Sequence, residues 1–207
     1  ARLKAAAGAV RAVLRMRPEE PGALIRTLAE YADLARREGL LALEEAAEQA
    51  RDPFLRKGLQ LMVDGTDYDD LRTLLENDLA ALEARHKQNA ALLETMAQYA
   101  PSFGLAGTLI SMVTMLRGLD DPSGLGPQMA RALLATFYGV LLGNLLFTPL
   151  AGRLKARSAE EVLRKELMLE GILAIVAGDT AALLLAKLNS LVGPHQQVRR
   201  AAAAEEE

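Results

Sequence analysis

Two threonine hydroxyls are the groups in this sequence with the clearest capacity for chemistry, because each lies in a long stretch without charge. Thr108 lies in the uncharged segment 95–116, and Thr136 lies in the uncharged segment 132–152. These hydroxyls could simply pack between helices, or they could line a polar seam that conducts an ion. A site for an ion at membrane depth normally needs an ionisable group, and neither segment contains Asp, Glu, His, Lys or Arg. If the protein moves an ion, the essential carboxylate must come from another chain.

The rest of the composition argues against covalent chemistry and metal binding. The 207 residues include no cysteine, and the two histidines, His86 and His195, are far apart in sequence. No nucleophile–base pair, metal-ligand cluster or phosphate-binding loop is recognisable, so we predict no enzymatic activity, no metal site and no cofactor. The formal net charge of −3 argues against a partner made of nucleic acid.

Glycines recur at helical spacing in both uncharged segments. Gly139 and Gly143 form a G-x-x-x-G pair, and Gly104 and Gly107 share a broad helical stripe with Thr108. Small residues let two helix backbones approach closely in lipid, where no hydrophobic effect drives helices together. We therefore predict that these four glycines pack one helix against the other.

A proline occurs near the same end of each predicted helix. Pro101 lies early in the first segment, and Pro149 lies late in the second. Proline removes a backbone donor and loosens a helix. The two prolines could mark ordinary kinks or helix boundaries, or they could form a hinge that transmits motion out of the apolar segments.

A dense group of charges lies between residues 36 and 48. Arg36 and Glu44 are eight residues apart, so they would share a helix face if Gly39 did not break the helix. This group could be an ordinary solvated face or an electrostatic docking surface for a partner protein.

The elements that hold these residues are predicted to be helices, and the fold class is all-α. Hydrophobic residues make up 51% of the chain and are mostly Ala and Leu, which favours helices over strands. Each uncharged segment would form a helix about 30 Å long, enough to cross the hydrocarbon core of a bilayer. We therefore predict a membrane helical hairpin. The alternative is a soluble helical scaffold whose core is formed by these two helices.

The flanking charges predict how the hairpin is oriented. Basic residues precede the first segment and follow the second, whereas the connector 117–131 carries offsetting arginines and aspartates. By the positive-inside tendency, both ends of the hairpin are expected in the cytoplasm. The predicted regions are a basic juxtamembrane segment (1–17), the first part of a cytoplasmic helical domain (18–94), the transmembrane hairpin (95–152), the second part of the cytoplasmic domain (153–193) and a disordered tail (194–207).

Local signals predict where several cytoplasmic helices begin. Asp52 precedes Pro53 and is predicted to cap a helix, as are Thr66 or Asp67 before the next helix. The run Ser158-Ala-Glu-Glu161 fits a capping box and predicts a further helix start. Asp179-Thr180 is predicted to cap the last helix.

Several stretches of the chain resemble the MotA/TolQ/ExbB ion-channel family, in particular its flagellar stator branch. The stretches are Tyr99–Ile110, Leu119–Ser123, Thr136–Gly139 and Leu146–Leu150, together with Arg36–Glu44 and Glu166–Leu173. The resemblance implies a subunit that couples H⁺ or Na⁺ flow to torque in the bacterial cytoplasmic (inner) membrane. It implies a homopentamer around two copies of a MotB-type subunit, which supplies the carboxylate, and the rotor protein FliG as a further partner.

The resemblance also assigns roles to individual residues. Arg36 and Glu44 correspond to charged residues that engage FliG, and Pro101 and Pro149 correspond to functional prolines at the cytoplasmic end of the channel. Thr136 corresponds to the hydroxyl near the MotB-type carboxylate. Thr108 corresponds to a threonine more typical of sodium-driven members, which favours Na⁺ slightly over H⁺.

Two further expectations follow from the resemblance. Members of the family have four membrane helices, so the equivalents of the first two are expected to be missing before Ala1, with 1–17 continuing the second. An ExbB- or TolQ-like energiser of outer-membrane transport is the alternative within the family, and the charges between 36 and 44 favour the flagellar branch.

Overall fold

The structure is a computed structural model that describes residues 21–120 and 122–192. The predicted segments 1–17 and 194–207 lie outside the described residues, which are helical apart from short turns and confirm the all-α prediction. The α-helices are α1 (Pro21–Glu38), α2 (Glu44–Gln49), α3 (Pro53–Val63), α4 (Tyr68–Arg117), α5 (Leu125–Leu141), α6 (Thr148–Val176) and α7 (Ala181–Leu191). Short 3-10 helices, Leu40–Leu43 and Pro122–Gly124, precede α2 and α5, and a π-helical segment, Leu142–Phe147, joins α5 to α6.

The described residues divide into two compact units. The hairpin unit contains 84–120 and 122–158, and the bundle unit contains 21–83 and 159–192. Helices α4 and α6 each contribute one part to each unit. The bundle unit is therefore assembled from chain that precedes the hairpin and chain that follows it.

The hairpin unit exposes apolar side chains rather than burying them. Both of its long helices are apolar enough to cross a membrane, and only 6% and 11% of their most apolar 18-residue stretches are buried. Phe103 is 76% exposed, Ile110 is 68% exposed and Leu145 is 73% exposed. A core helix of a soluble protein would be mostly buried, so the scaffold alternative, in which these helices form the core, does not fit the structure.

Most of the buried apolar side chains lie in the bundle unit. Helix α1 packs closely on α6, because a Cβ atom at Gly171 would lie 2.7 Å from Leu28 Cδ1. Helix α3 approaches α6 in the same way at Gly58, where a Cβ atom would lie 2.3 Å from Ile172 Cδ1. The fully buried large side chains of this unit are Ile25, Leu28, Leu43, Leu59, Met62, Leu71, Leu75, Leu167, Met168, Ile172, Leu184 and Leu188.

Three of the predicted helix caps are present. The Asp52 carboxylate accepts a hydrogen bond of 2.9 Å from the Phe54 N–H, with Pro53 in the first turn of α3. Asp67 accepts a hydrogen bond of 3.2 Å from the Asp69 N–H at the start of α4. Thr180 accepts one of 3.2 Å from the Leu183 N–H at the start of α7. These side chains satisfy N–H groups that the first turn of a helix leaves without partners.

The helix start predicted at Ser158 is wrong. Helix α6 begins at Thr148 and passes through Ser158 to Val176 without a break. The residues between 153 and 170 include no glycine or proline, so nothing in this stretch interrupts the helix, and a capping-box pattern is equally compatible with a helix interior. The Ser158 hydroxyl instead lies 3.0 Å from His86 Nδ1 on α4, within the hairpin unit.

Candidate functional site

The four predicted glycines lie where the two helices of the hairpin meet. A Cβ atom at Gly104 would lie 2.8 Å from the Ala135 carbonyl oxygen and 3.1 Å from the Gly139 Cα. A Cβ atom at Gly107 would lie 3.0 Å from the Ala135 Cβ, and one at Gly143 would lie 2.8 Å from the Ala97 carbonyl oxygen. The two backbones are therefore in direct contact, and side chains larger than glycine do not fit without a shift of one helix.

The two predicted threonines meet across this contact. The Thr108 hydroxyl oxygen lies 2.8 Å from the carbonyl oxygen of Ala132 on the opposite helix and 3.2 Å from that of Gly104 on its own helix. It also forms a hydrogen bond with the Thr136 hydroxyl. A carbonyl oxygen can only accept, so whenever Thr108 donates its single proton to one of these carbonyls, Thr136 is the donor to Thr108. The structure thus brings together the hydroxyl pair that the sequence singles out.

This arrangement can accept protons or hard cations but cannot neutralise their charge. Hydroxyl and carbonyl oxygens are ligands that hard cations prefer. Thr108 and Thr136 are only half buried, so both residues remain accessible to a ligand. Neither helix supplies an Asp, Glu, His, Lys or Arg side chain within 95–116 or 132–152. Among the described residues, no group of three or more His, Asp or Glu side chains could hold a metal ion. A charged ligand at this depth would therefore need a carboxylate from outside the described chain.

Neither predicted proline marks a helix boundary. Pro101 lies inside α4, and Pro149 lies in the first turn of α6, which continues the π-helical segment Leu142–Phe147. Because Pro101 has no N–H, the Ala97 carbonyl lacks its α-helical donor, and Gly143 packs against this carbonyl. A Cβ atom at Gly143 would also lie 3.1 Å from Pro101 Cγ.

The π-helical segment was not predicted. Pro149 lacks a donor for the preceding turn, and its ring crowds the carbonyl four residues earlier. The wider π turn relieves that crowding, and the Thr148 hydroxyl donates a hydrogen bond of 2.9 Å to the Gly143 carbonyl, five residues earlier. The signal in the sequence was a threonine directly before a proline, in a helix that also contains Gly143. Through Gly143, the π-helical segment and Pro101 are in contact.

A second set of contacts, which sequence reasoning missed, joins α4 to α6 beyond the apolar part of the hairpin. Ala90 and Leu93 of α4 and Ala151 and Leu154 of α6 form a small buried cluster. Lys155 forms an ion pair with Glu94 beside it. The hairpin therefore remains paired past its uncharged segments. The spacing of Ala90, Leu93 and Met96 along one helix face could have indicated this cluster.

The structure separates Arg36 from Glu44. Helix α1 ends at Glu38, and Gly39 adopts a φ of +89°, a left-handed conformation that ends the helix and favours glycine. Arg36 lies in the last turn of α1, and Glu44 is the first residue of α2. Both side chains are exposed, and they line different shallow hollows, so they do not share one helix face.

A buried ion pair between α6 and the start of α3 was also missed. Lys165 Nζ lies 2.5 Å and 2.7 Å from the two carboxylate oxygens of Asp52, and it lies 5.4 Å from the centre of the Phe54 ring. Among the described residues, Lys165 is the one charged residue that is buried. Burial alone would raise the pKa of Asp52, but the hydrogen bonds and charge of Lys165 and the N–H groups of Phe54 and Leu55 outweigh it and lower the pKa.

Comparison with known proteins places these features in context. Residues 46–167 match the model of the MotA/TolQ/ExbB proton channel family. The chain is 42% identical over 171 residues to Motility protein A of Borreliella burgdorferi, covering 83% of this chain and 66% of that protein. It is 42% identical over 161 residues to Chemotaxis protein PomA of Vibrio alginolyticus, covering 78% and 63% respectively.

The fold is similar to a solved structure of C. jejuni MotAB. The TM-score is 0.89 at 27% identity, covering 96% of this chain and 78% of the matched chain. The chain spans less than two thirds of the length of the two curated relatives named above. The all-α fold and the apolar helical hairpin are therefore shared with proteins whose names refer to motility.

Proposed function

The chain belongs to the MotA/TolQ/ExbB proton channel family, and on that basis we propose that it is an ion-conducting stator subunit of the bacterial flagellar motor. In this role the flow of H⁺ or Na⁺ past the hairpin drives torque on the rotor. The observation that carries the proposal is the Thr108–Thr136 hydroxyl pair, held between two helices whose outer surfaces are apolar and exposed. Polar side chains inside an apolar hairpin cost free energy. Their presence there is therefore typical of sites that serve transport or helix pairing.

The carboxylate that this seam lacks is proposed to come from a MotB-type subunit. The solved structure that the chain resembles is a MotAB complex, which supports a partner of this class. A single apolar helix carrying one aspartate could lie against the hairpin and place its carboxylate beside Thr136. The hydroxyls would then orient water or a partly dehydrated cation, and the aspartate would balance its charge. Two hydroxyls with one carboxylate suit Na⁺ as a hard cation, although they would also serve a proton-linked water chain.

Assembly and location complete the proposal. We propose a homopentamer of this chain around two MotB-type subunits, in the bacterial cytoplasmic membrane, with the bundle unit in the cytoplasm. The rotor protein FliG is the proposed partner of Arg36 and Glu44, whose side chains are exposed and available to opposite charges. Pro101 and Pro149 are proposed to couple ion passage to movement of α4 and α6, because both lie inside continuous helices. Gly143 packs against Pro101 and accepts a hydrogen bond from Thr148, the residue before Pro149.

An ExbB- or TolQ-like energiser of outer-membrane transport remains the second function within the family. The curated relatives described above are named for motility and chemotaxis, which favours the flagellar role.

Co-purification tests the proposed assembly directly. The chain is expressed with the MotB-type subunit from the same genome, extracted in mild detergent, and the mass of the complex is measured. We expect a complex with five copies of this chain and two of the partner. A chain that purifies without any MotB-type subunit, while cells that lack its gene swim normally, would overturn the proposal.

A further inference from the structure

The buried ion pair between Asp52 and Lys165 lies at the corner where α2 turns into α3. The two side chains are 16% and 11% exposed, respectively, and both carboxylate oxygens contact the lysine. Asp52 also caps α3 through the Phe54 N–H. One carboxylate therefore fixes the start of α3 and joins it to α6.

An arginine also holds this corner. The Arg56 guanidinium donates hydrogen bonds of 3.1 Å and 2.7 Å to the Ala50 carbonyl, which belongs to the residue that follows α2. Helix α2 has only six residues, too few to be stable without tertiary contacts. Its position therefore depends on the α2–α3 corner (residues 50–56). Glu44, which begins α2, depends on that position too.

A buried ion pair is an unusual way to stabilise such a corner. Removing two charges from water costs much of what their attraction returns, and apolar side chains of similar volume often stabilise a core as well or better. What the ion pair adds is specificity, because a corner displaced from this position would leave the buried Lys165 without the carboxylate that it contacts. The pair therefore sets where the corner lies along α6.

Helix α6 is continuous with the second apolar helix of the hairpin through the π-helical segment, so it can carry a displacement from one unit to the other. We propose that Asp52 and Lys165 are positioning residues that fix the α2–α3 corner, and with it Glu44, to α6. Movement of this helix during ion passage then reaches the surface proposed to bind the rotor. This inference rests on the proposed function as a stator subunit.

Single-motor rotation separates positioning from simple stability. The gene that encodes this chain and that of its MotB-type partner are induced in a flagellated host lacking its own stator genes, and a bead on one filament is followed at high load. Each stator unit that joins the motor raises the speed by one step. The height of a step reports torque per unit, and the number of steps reports how many units assemble.

The central variant is Lys165→Met, which keeps the length of the side chain and removes its charge. We expect the step height to fall by about twofold or more while the number of steps is unchanged. Lys165→Arg keeps the charge and should restore most of the step height. The matched control is Lys57→Met, because Lys57 forms an ion pair of 2.5 Å with Asp78 in the same unit, with both side chains more than 40% exposed. This control should leave step height and step number unchanged.

A double variant distinguishes loss of positioning from loss of folding. Asp52→Asn combined with Lys165→Met keeps a capping side chain at 52 and leaves no unpaired buried charge, so it should reach the membrane and still give small steps. Steps of normal height in both variants would overturn the inference, and so would loss of both variants from the membrane, because the pair would then serve folding alone. If the wild-type chain gives no steps at all, the proposed function itself fails.

Discussion

Gly104 and Gly139 meet backbone to backbone, since a Cβ atom at position 139 would lie 2.9 Å from the Gly104 Cα and 2.7 Å from the Ala100 carbonyl oxygen. Neither of these neighbours is a flexible side chain that could turn away. The distance between the two helices of the hairpin is thus set by the absence of side chains at this contact.

We predict that Gly139→Ala separates the two helices and destabilises the hairpin by about 1–3 kcal/mol, the usual cost of overpacking. The thermal unfolding midpoint of the purified complex in detergent is the measurement. Gly152→Ala is the matched control, because a Cβ atom at Gly152 would meet nothing within 4 Å. Equal midpoints for the two variants would contradict the close contact.

The Thr108–Thr136 pair gives a prediction about ion passage. Thr136→Val keeps the shape of the side chain but removes its hydroxyl, so the donor to Thr108 and the oxygen proposed to face the ion are both lost. We expect swimming to be largely abolished, whereas Thr136→Ser keeps the hydroxyl and should retain most of it. Motility in soft agar, with subunit levels in membranes measured alongside, tests this. A Thr136→Val strain that swims normally would show that the hydroxyl only packs.

The identity of the ion can be read from swimming speed. If Na⁺ is the coupling ion, speed should rise and saturate as external sodium is increased at fixed pH, with potassium used to keep the ionic strength constant. Two hydroxyls and a carboxylate can replace part of the hydration shell of Na⁺, and this set of oxygen ligands is the reason to expect sodium dependence. Speed that does not depend on sodium would instead indicate H⁺.

Reversal of charge at Arg36 should weaken the proposed contact with the rotor. We predict that Arg36→Glu reduces motility strongly without changing the amount of subunit in the membrane, and that a compensating reversal on FliG restores part of it. Arg26→Glu is the control, because Arg26 is also exposed on α1 but lies ten residues, about 15 Å, closer to the start of the helix. Equal motility of the two variants would argue that the charge at 36 is an ordinary solvated one.

The lowered pKa of Asp52 predicts how stability changes in acid. A carboxylate whose pKa is lower in the folded state contributes stability above its unfolded pKa of about 3.9 and loses it as the pH falls through the folded value. Asp52→Asn, which leaves Lys165 buried without its partner, should cost about 3 kcal/mol near neutral pH. The difference in unfolding free energy from the wild type should shrink below about pH 4. Denaturant unfolding of the purified complex at several pH values measures it, and a difference that is the same at every pH would contradict the role of the carboxylate.

The sequence predicted well those features that depend on local pattern. Long uncharged segments define the two apolar helices, and glycine and threonine spacing identified the side chains that meet between them. Caps at Asp52 and Thr180 could be predicted because an N-cap depends on neighbouring backbone groups alone.

Features that depend on contacts between distant segments could not be predicted in this way. Asp52 and Lys165 are separated by 113 positions, so nothing in the local sequence pairs them. The helix start predicted at Ser158 was wrong for a related reason. A capping box is a local pattern, and it contains no information on the helix that already begins at Thr148. Arg36 and Glu44 would share a helix face only in an unbroken helix. Gly39, with a φ of +89°, ends the helix between them.

The π-helical segment Leu142–Phe147 has a consequence for how chain length can vary in this protein. A π turn contains more residues than an α turn, so this segment holds one residue more than an α-helix of the same length would. Deleting one residue there would tighten the turn to an ordinary α-helix and leave the helix faces on both sides aligned. The same deletion in the middle of α5 would rotate everything beyond it by about 100° and turn Gly139 and Gly143 away from their contacts on α4. A sequence that is one residue shorter can therefore keep this hairpin intact if the gap falls between 144 and 147, after Gly143.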